Sequence, residues 1–483
     1  MSKKSISKNY IYNLVYQLLL MFIPLITTPY VSRVLGAENL GIYGYTLSIV
    51  TYFILFGSLG ISMYAQREIA YVQNDIKKRS KVFFEIIIFR AVTMLISIVI
   101  FFIFFVNGSN YQFYYLIFSI ELLGNILDIT WFFQGLEEFK KTVTRNIIVK
   151  LMSVISILVL VKTKDDLFIY ILIYVVSNFI GKASLWIYMP KYIEKIKLKQ
   201  LNIIKHLKPT LWLFLPQIAM QVYTVLDKTM IGMIISNKSE VGFYEQAQKI
   251  INLCITIVTS LGIVMVPRMA NTYINGDKKQ IETYVKNSLK FVYFLALPIL
   301  VGINLVSAQF VPIFFGEGYE RVIPLINVIS PIILLIGISN VTGTQYLLPT
   351  KKQKKFTISV VLGAIFNFIF NIILINKYGA IGASIGTVIA ELVVTVVQIY
   401  QIKEDFNIIE FIKPAKNNLI ASIIMIIPIL IIRNIIENNV VSLILQISVG
   451  AIIYILVLII LKDDFIKNAQ EKITIRRAKT NDR

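Results

Sequence analysis

Apolar stretches long enough to cross a lipid bilayer recur along almost the whole chain. Each runs for about 17 to 25 residues and is separated from the next by a short polar break. With 57% hydrophobic and 16% charged residues, the chain is much more apolar than an average soluble protein. The pattern predicts about fourteen transmembrane helices. They are expected at 10–32, 41–65, 82–105, 112–134, 147–161, 167–189, 209–235, 242–266, 287–308, 324–348, 357–375, 381–402, 418–433 and 441–461.

Lysine and arginine are distributed unevenly between the two sets of loops. The amino terminus, the carboxyl-terminal tail and every second loop hold most of the 48 basic residues. Because basic loops stay in the cytoplasm, this predicts a multi-pass protein of the plasma (cytoplasmic) membrane with both termini cytoplasmic. The same distribution explains the net charge of +21 without a nucleic-acid partner.

The longest polar break, 190–208, is basic and follows six predicted spans. Residues 36–43 after the first span also match residues 237–244 after the seventh, with a shared glycine and tyrosine. An even number of spans per repeat makes the halves parallel repeats. We therefore predict an all-α polytopic membrane protein. Its expected parts are an N-terminal six-helix bundle at 1–189, a basic cytoplasmic linker at 190–208, a C-terminal six-helix bundle at 209–402, an extra helix pair at 403–461 and a basic cytoplasmic tail at 462–483.

Two segments carry a family resemblance. Residues 29–43 (PYVSRVLGAENLGIY) resemble the opening signature of Wzx-type polysaccharide repeat-unit flippases. Residues 376–391 (NKYGAIGASIGTVIAE) resemble the glycine-rich entry to the twelfth helix in the same superfamily, and the sequence Leu-Asp-Lys at 226–228 lies in the seventh span. The resemblance implies a MATE-like member of the multidrug/oligosaccharidyl-lipid/polysaccharide exporter superfamily that works by alternating access.

The resemblance also implies a substrate, an undecaprenyl-diphosphate-linked oligosaccharide. The protein would move this repeat unit from the inner to the outer face of the membrane for capsule or surface polysaccharide assembly. Its partners would be the lipid-linked oligosaccharide and the bilayer, with other polysaccharide assembly proteins as candidates. Neither a cofactor nor enzymatic activity is expected.

Ionisable side chains inside or at the ends of the spans are the candidate functional residues, because an unpaired charge in hydrocarbon is costly. Cations in a basic central cavity would hydrogen-bond the oxygens of the substrate diphosphate. Carboxylates could exchange a proton or Na⁺ during transport. The candidate cations are Arg33, Arg90, Lys182, Lys228 and Lys249, and the candidate carboxylates are Glu121, Asp128, Asp227 and Glu391.

Simpler roles remain open for several of these positions. Arg90 could pair with Asp128 or Glu121, and Glu245 and Lys249 could pair along one helix. A lysine near a span end, such as Lys150, could extend its ammonium to the membrane surface. Interfacial packing would explain Trp131, Trp186 and Trp212, and helix kinks are expected at Pro24, Pro216, Pro298, Pro331 and Pro428.

The sequence contains no catalytic constellation. Cys254 and His206 are the single cysteine and histidine, which excludes an internal disulfide and a metal site built on several such ligands. The chain has no GxxxxGK[ST] loop, so an ion gradient, the membrane potential or the substrate gradient would have to drive transport.

Three other functions remain open. A lipid II flippase of the same fold differs only in substrate. A cation-coupled drug efflux carrier of the same fold is disfavoured by the buried lysines and arginines, which repel cationic drugs. A membrane glycan polymerase or ligase generally needs a large outward loop, and the predicted outward loops are short.

Overall fold

The computed structural model describes residues 6–463 and 465–467, with the backbone alone at 6–18, 20–21, 198, 215–217 and 219–224. Every regular element in these ranges is helical. Helices are favoured because a chain in hydrocarbon must satisfy its backbone hydrogen-bonding groups internally. The chain divides into two compact units, Met1–Gly242 and Phe243–Arg483.

The first unit is built from eight α-helices connected by short turns. A π-helix at Phe102–Val106 extends the third of them, and the segment before the eighth contains short 3₁₀ turns, the last at Ile204–His206. The helices are α1 Ile6–Ser58, α2 Ile61–Tyr71, α3 Ile76–Phe101, α4 Gln112–Ile126, α5 Thr130–Gly135, α6 Phe139–Leu160, α7 Leu167–Ser184 and α8 Leu207–Ile234.

The second unit contains eleven α-helices, the first of which begins just before the boundary between the units. A π-helix at Asn340–Leu347 follows the fifth of them. The helices are α9 Ser239–Thr259, α10 Gly262–Ile274, α11 Lys278–Phe315, α12 Val322–Ile329, α13 Ile332–Ser339, α14 Gln353–Tyr378, α15 Ala380–Ile402, α16 Ile408–Ile412, α17 Ala415–Ile424, α18 Ile426–Ile435 and α19 Asn439–Ile460.

Among the described residues, 11 helical segments are long and apolar enough to cross a membrane, or up to 12 if the bent pair α9 and α10 is one span. The first predicted span and most of the second fall in α1, which consists of two helices joined by a kink at Gly36, with φ 76° and ψ 171°. The seventh falls in α8, part of which is described as backbone alone. A polytopic helical membrane protein is confirmed, whereas the count of about fourteen stays a prediction.

Proline affects the predicted spans unequally. Pro331 separates α12 from α13 and so breaks the predicted tenth span, as expected. Pro24 and Pro298 lie inside α1 and α11, which continue through them. The missing N–H of a proline removes one helical hydrogen bond, and neighbouring residues can keep the helix intact.

Trp131, predicted near the membrane interface, is buried among helices. Only 1% of its surface is exposed, and it packs against Phe83 in a cluster that also contains Phe132. Its indole Nε1 donates to the carbonyl oxygen of Asp128 at 2.9 Å. The break between α4 and α5 turns this side chain into the helix cluster, which apolar periodicity alone does not reveal.

The two matching segments noted in the sequence pack against each other within the first unit. A Cβ atom on Gly41 would lie 1.7 Å from the carbonyl oxygen of Lys238, and one on Gly242 would lie 2.0 Å from that of Ala37. The contact is therefore reciprocal, and each glycine is required by the close approach of the opposite backbone. The wider repeat between the halves stays a prediction.

The segment before α8 is fixed to α2 and α3 by a buried polar cluster. Glu85 accepts hydrogen bonds from the Asn202 amide at 2.8 Å and from Lys205 Nζ at 2.6 Å. His206 Nε2 lies 3.2 Å from the same carboxylate, and His206 Nδ1 lies 2.8 Å from the Tyr64 hydroxyl. Burial lowers the pKa of His206, although the hydrogen bond with Glu85 opposes this shift.

We expect acid pH to release this segment. Because the pKa of docked His206 is lowered, the released segment binds the proton more tightly, so docking is complete above about pH 6.5 and weakens below it. A nitroxide on Lys199→Cys in a Cys254→Ser background should gain mobility between about pH 7.5 and 5.5. His206→Gln, which does not titrate, should abolish the change. A response that persists in this variant would assign the effect to another group.

Candidate functional site

An ion pair between α3 and the end of α4 lies at the centre of the candidate site in the first unit. Arg90 is 1% exposed, and its Nη2 lies 3.5 Å from Asp128 Oδ2. Its Nε donates to the Asn125 carbonyl oxygen at 2.7 Å, and its Nη1 donates to Ser62 Oγ at 3.2 Å. Of the partners considered from the sequence, Arg90 therefore takes Asp128.

Asp128 also bonds to the first residue of the next helix. Its Oδ1 accepts hydrogen bonds from the Thr130 amide at 3.0 Å and from the Thr130 hydroxyl at 2.6 Å. Arg145 on α6 donates to the same hydroxyl at 3.1 Å. The carboxylate thus connects α3, α5 and α6 and fixes the geometry of this part of the bundle.

A second ion pair joins α4 to α7. Lys182 Nζ lies 2.5 Å from Glu121 Oε1, and the side chains are 15% and 6% exposed. The side-chain Nδ2 of Asn125 donates to the backbone carbonyl oxygen of Glu121 at 2.9 Å. Since the backbone carbonyl oxygen of Asn125 also accepts a hydrogen bond from Arg90, the two ion pairs belong to one polar network inside the helix bundle.

A cavity of about 220 Å³ lies beside this network. Three cations line it, against a single carboxylate that already pairs with Arg90. Asparagine side chains from α6 and α7 add neutral hydrogen-bond donors. Such a surface suits an anion with several oxygens, such as phosphate. The lining residues are Asp128, Thr130, Arg145, Asn146, Val149, Lys150, Asn178, Gly181 and Lys182.

Arg145, Asn146 and Asn178 in this cavity were not identified from the sequence. Lys182 was predicted as a cavity cation, and Lys150 was considered as a lysine that could reach the membrane surface. Asn146 and Lys150 are four residues apart on α6, and Asn178 and Lys182 are four apart on α7. Polar pairs at this spacing share a helix face, so they were a usable signal. Arg145 was overlooked because it lies just before the predicted fifth span, in a segment that the structure makes part of α6.

The other predicted cations and carboxylates are not in this cavity. Arg33 is exposed, and its Nη1 lies 3.5 Å from the Pro29 carbonyl oxygen. Asp227 is buried on α8, and Lys228 is partly buried. The nearby Thr229 hydroxyl donates to Ser48 Oγ on α1 at 2.9 Å.

In the second unit, Lys249 Nζ lies 3.3 Å from Glu245 Oε1 on the same helix. This is the local pair that the spacing of four residues allowed. The Lys249 side chain keeps 34% of its surface exposed, so pairing does not bury the ammonium.

Glu391 lies on α15, which packs very closely against α14. Added Cβ atoms on Gly382 and Gly386 would lie 2.2 Å from the Leu374 carbonyl oxygen and 2.3 Å from Asn371 Oδ1. Glu391 itself is 8% exposed. The glycine-rich motif thus brings the helix that carries this carboxylate against its neighbour.

Metal chemistry has no support in the part of the chain that is described. No group of three or more His, Cys, Asp or Glu side chains within it is placed to hold a metal ion. The site is instead made of cations, amides and paired carboxylates.

Comparison with known proteins identifies the family. Residues 6–273, more than half of the chain, match the family described as Polysaccharide biosynthesis protein, and residues 213–373 match the MatE family. The chain belongs to the polysaccharide biosynthesis protein family. It is a Wzx-type flippase of the multidrug/oligosaccharidyl-lipid/polysaccharide exporter superfamily, which confirms the resemblance at 29–43.

Relatives and solved structures agree with this assignment. The Escherichia coli K12 protein named "Putative O-antigen transporter" is 27% identical to this flippase over 399 residues, which cover 82% of this chain and 96% of that protein. A structure of the lipid II flippase MurJ in an inward closed conformation matches with a TM-score of 0.76 at 18% identity, covering 95% of this chain and 100% of MurJ. An inward-facing MATE-family multidrug transporter matches with a TM-score of 0.61 at 15% identity, covering 79% and 94%. These structural likenesses show a MurJ- and MATE-like fold.

Proposed function

We propose that this flippase moves undecaprenyl-diphosphate-linked oligosaccharide repeat units from the inner to the outer face of the plasma membrane, for capsule or other surface polysaccharide assembly. The main support is the relationship to a protein named as an O-antigen transporter, which extends over 82% of this chain and 96% of that protein. The basic cavity beside Lys182 adds chemical support, because a diphosphate is strongly anionic.

In the proposed mechanism, Arg145, Lys150 and Lys182 hydrogen-bond the diphosphate oxygens. Glu121 holds the Lys182 ammonium in place, and the pair of Arg90 and Asp128 keeps the surrounding helices in register. Low dielectric surroundings strengthen these attractions. Alternating access would then present the bound diphosphate to one face of the membrane and afterwards to the other. Arg33, Lys228 and Lys249 stay further predicted phosphate-binding cations.

Deletion of the gene tests the function directly. Cells that lack the protein should accumulate lipid-linked oligosaccharide on the inner face and lose surface polysaccharide. Expression of the wild-type chain should reverse both effects. Normal surface polysaccharide without the protein, and no accumulated intermediate, would refute the proposal.

A lipid II flippase is the second candidate, because the likeness to MurJ covers 95% of this chain. Rescue of cells depleted of their own lipid II flippase, without any effect on surface polysaccharide, would favour it. A drug efflux carrier fits less well, since three cations line the cavity and would repel a cationic drug.

The orientation proposed here places both termini in the cytoplasm. Reporters fused after Lys208 and after Arg483 should read cytoplasmic, because the flanking segments are rich in lysine and arginine. Reporters in 107–111, before α4, and in 316–321, between α11 and α12, should read outside. A cytoplasmic reading at 316–321 would overturn the orientation.

Glu391 is the proposed ion-coupling carboxylate. Glu391 is 8% exposed and is the one acidic residue of α15, so it is the candidate on this helix to bind a proton or Na⁺ during transport. Glu391→Gln keeps hydrogen bonding but cannot ionise. In vesicles, this variant should lose the dependence of substrate turnover on an imposed pH or Na⁺ gradient, whereas the exposed control Glu317→Gln should keep it. An unchanged dependence in Glu391→Gln would make the residue structural.

A further inference from the structure

A second basic cavity, separate from the site above, lies at one end of the second unit. It has a volume of about 640 Å³ and is formed by the start of α11, by α16 and α17, and by the segment after α19. Four lysines and two carboxylates line it. The lining residues are Lys286, Lys290, Glu410, Lys413, Pro414, Lys416, Asn417, Asn418, Asp463 and Phe465.

The cavity keeps a net positive charge despite its two carboxylates. Glu410 pairs with Lys286, which also lies 3.0 Å from Glu282 Oε1. Asp463 accepts hydrogen bonds from neutral groups, the Phe465 amide at 2.9 Å and Asn417 Nδ2 at 3.3 Å. Lys413 and Lys416 are exposed at the mouth and add two positive charges.

Hydrogen bonds and a ring contact hold the residues that line this cavity in place. The Tyr454 hydroxyl donates to Asn418 Oδ1 at 2.6 Å, and Asn418 Nδ2 donates to the Pro414 carbonyl oxygen at 3.0 Å. The ring of Phe465 lies 4.8 Å from that of Phe294. The lysines therefore surround a preformed depression.

Exposed apolar side chains begin immediately beside the cavity. Leu419 on α17, one turn beyond Ala415, is 47% exposed, and Ile423 is 53% exposed on the next turn. At the end of α19, Ile460 is 76% exposed. A molecule with an anionic head in the cavity could thus lay its acyl chains along α17 and α19.

We propose that this cavity binds the headgroup of an anionic membrane phospholipid, with the phosphodiester between Lys290, Lys413 and Lys416. Basic pockets between helices at the cytoplasmic surface recognise such headgroups, and this end of the unit is the side predicted to be cytoplasmic. The chain beyond residue 467 is disfavoured as the occupant because it is itself basic, with Lys472, Arg476, Arg477, Lys479 and Arg483.

Lipid binding to the purified full-length chain tests the proposal. Nanodiscs of phosphatidylcholine with a minor fraction of photoactivatable phosphatidylglycerol should label peptides from α16 and α17 and the segment after α19. Lys413→Gln/Lys416→Gln should reduce this labelling about 25-fold, since each lysine that contacts the phosphodiester contributes roughly fivefold. Both positions are exposed, and an unchanged melting temperature verifies the fold.

The matched control is Lys278→Gln/Lys279→Gln, which removes two exposed lysines at the start of α11 outside the cavity. This variant should label like the wild type. An equal loss in the control would show general surface attraction and overturn the proposal, as would unchanged labelling in the cavity variant. Displacement of the phosphatidylglycerol probe by undecaprenyl diphosphate at much lower concentration would also overturn it, because the cavity would then be a substrate site.

Discussion

Replacing Lys182 with alanine should abolish export while the protein remains inserted in the membrane. The substitution removes one of three cations from the cavity and also leaves Glu121 buried without its partner. Lys182→Arg should keep part of the activity, because the charge persists and only the geometry changes. Surface polysaccharide and accumulated lipid-linked oligosaccharide measure the effect, with the exposed Lys164→Ala as the control for charge loss.

A double variant separates substrate binding from charge balance. In Lys182→Met/Glu121→Gln the ion pair is gone but no charge is left uncompensated, so stability should return toward that of the wild type. Export should still fail if the Lys182 ammonium contacts the diphosphate. Normal export by this variant would restrict Lys182 to balancing Glu121, and normal export by Lys182→Ala would refute the proposed role of the cavity.

Helices were predictable here because lipid imposes one requirement on every span. Its backbone N–H and C=O groups must form their hydrogen bonds within the protein. A long apolar run therefore becomes a helix whatever its neighbours are. The boundaries were less predictable. Residues 33–40 were read as the break between the first two spans, and the structure narrows that break to Gly36, where two helices meet at a kink.

Contacts between helices were the part that sequence could not fix. Lys182 and Glu121 were both identified as buried charges, but their pairing depends on how α7 packs against α4. Arg90 had two possible carboxylates in the predicted fourth span, and the break after Ile126 brings Asp128 to its guanidinium. Local pairs such as Glu245 and Lys249 were predictable because helix geometry alone sets their distance.

Comparison of the two ion pairs shows why they should respond differently to mutation. Lys182 is 15% exposed and lines a cavity, so its ammonium can reach a ligand. The Arg90 side chain is only 2% exposed and donates to Asn125, Ser62 and Asp128. A guanidinium with its hydrogen bonds committed within the protein has a structural role, and its loss should act on stability before it acts on transport.

Arg90→Ala should therefore cause the largest loss of stability among the candidate residues, about 3 kcal/mol. It removes the hydrogen bonds to Asn125 and Ser62 and leaves the partly buried Asp128 carboxylate without its partner. The loss should appear as a lowered melting temperature of the purified protein. Arg67→Ala, which removes an exposed arginine paired with Glu68, should cost less than about 1 kcal/mol and serves as the control. Arg90→Met/Asp128→Asn should recover most of the stability, since it removes both charges together. If Arg90→Ala melts like the wild type, the pair does not hold the helices, and Arg90 would be free to contact substrate instead.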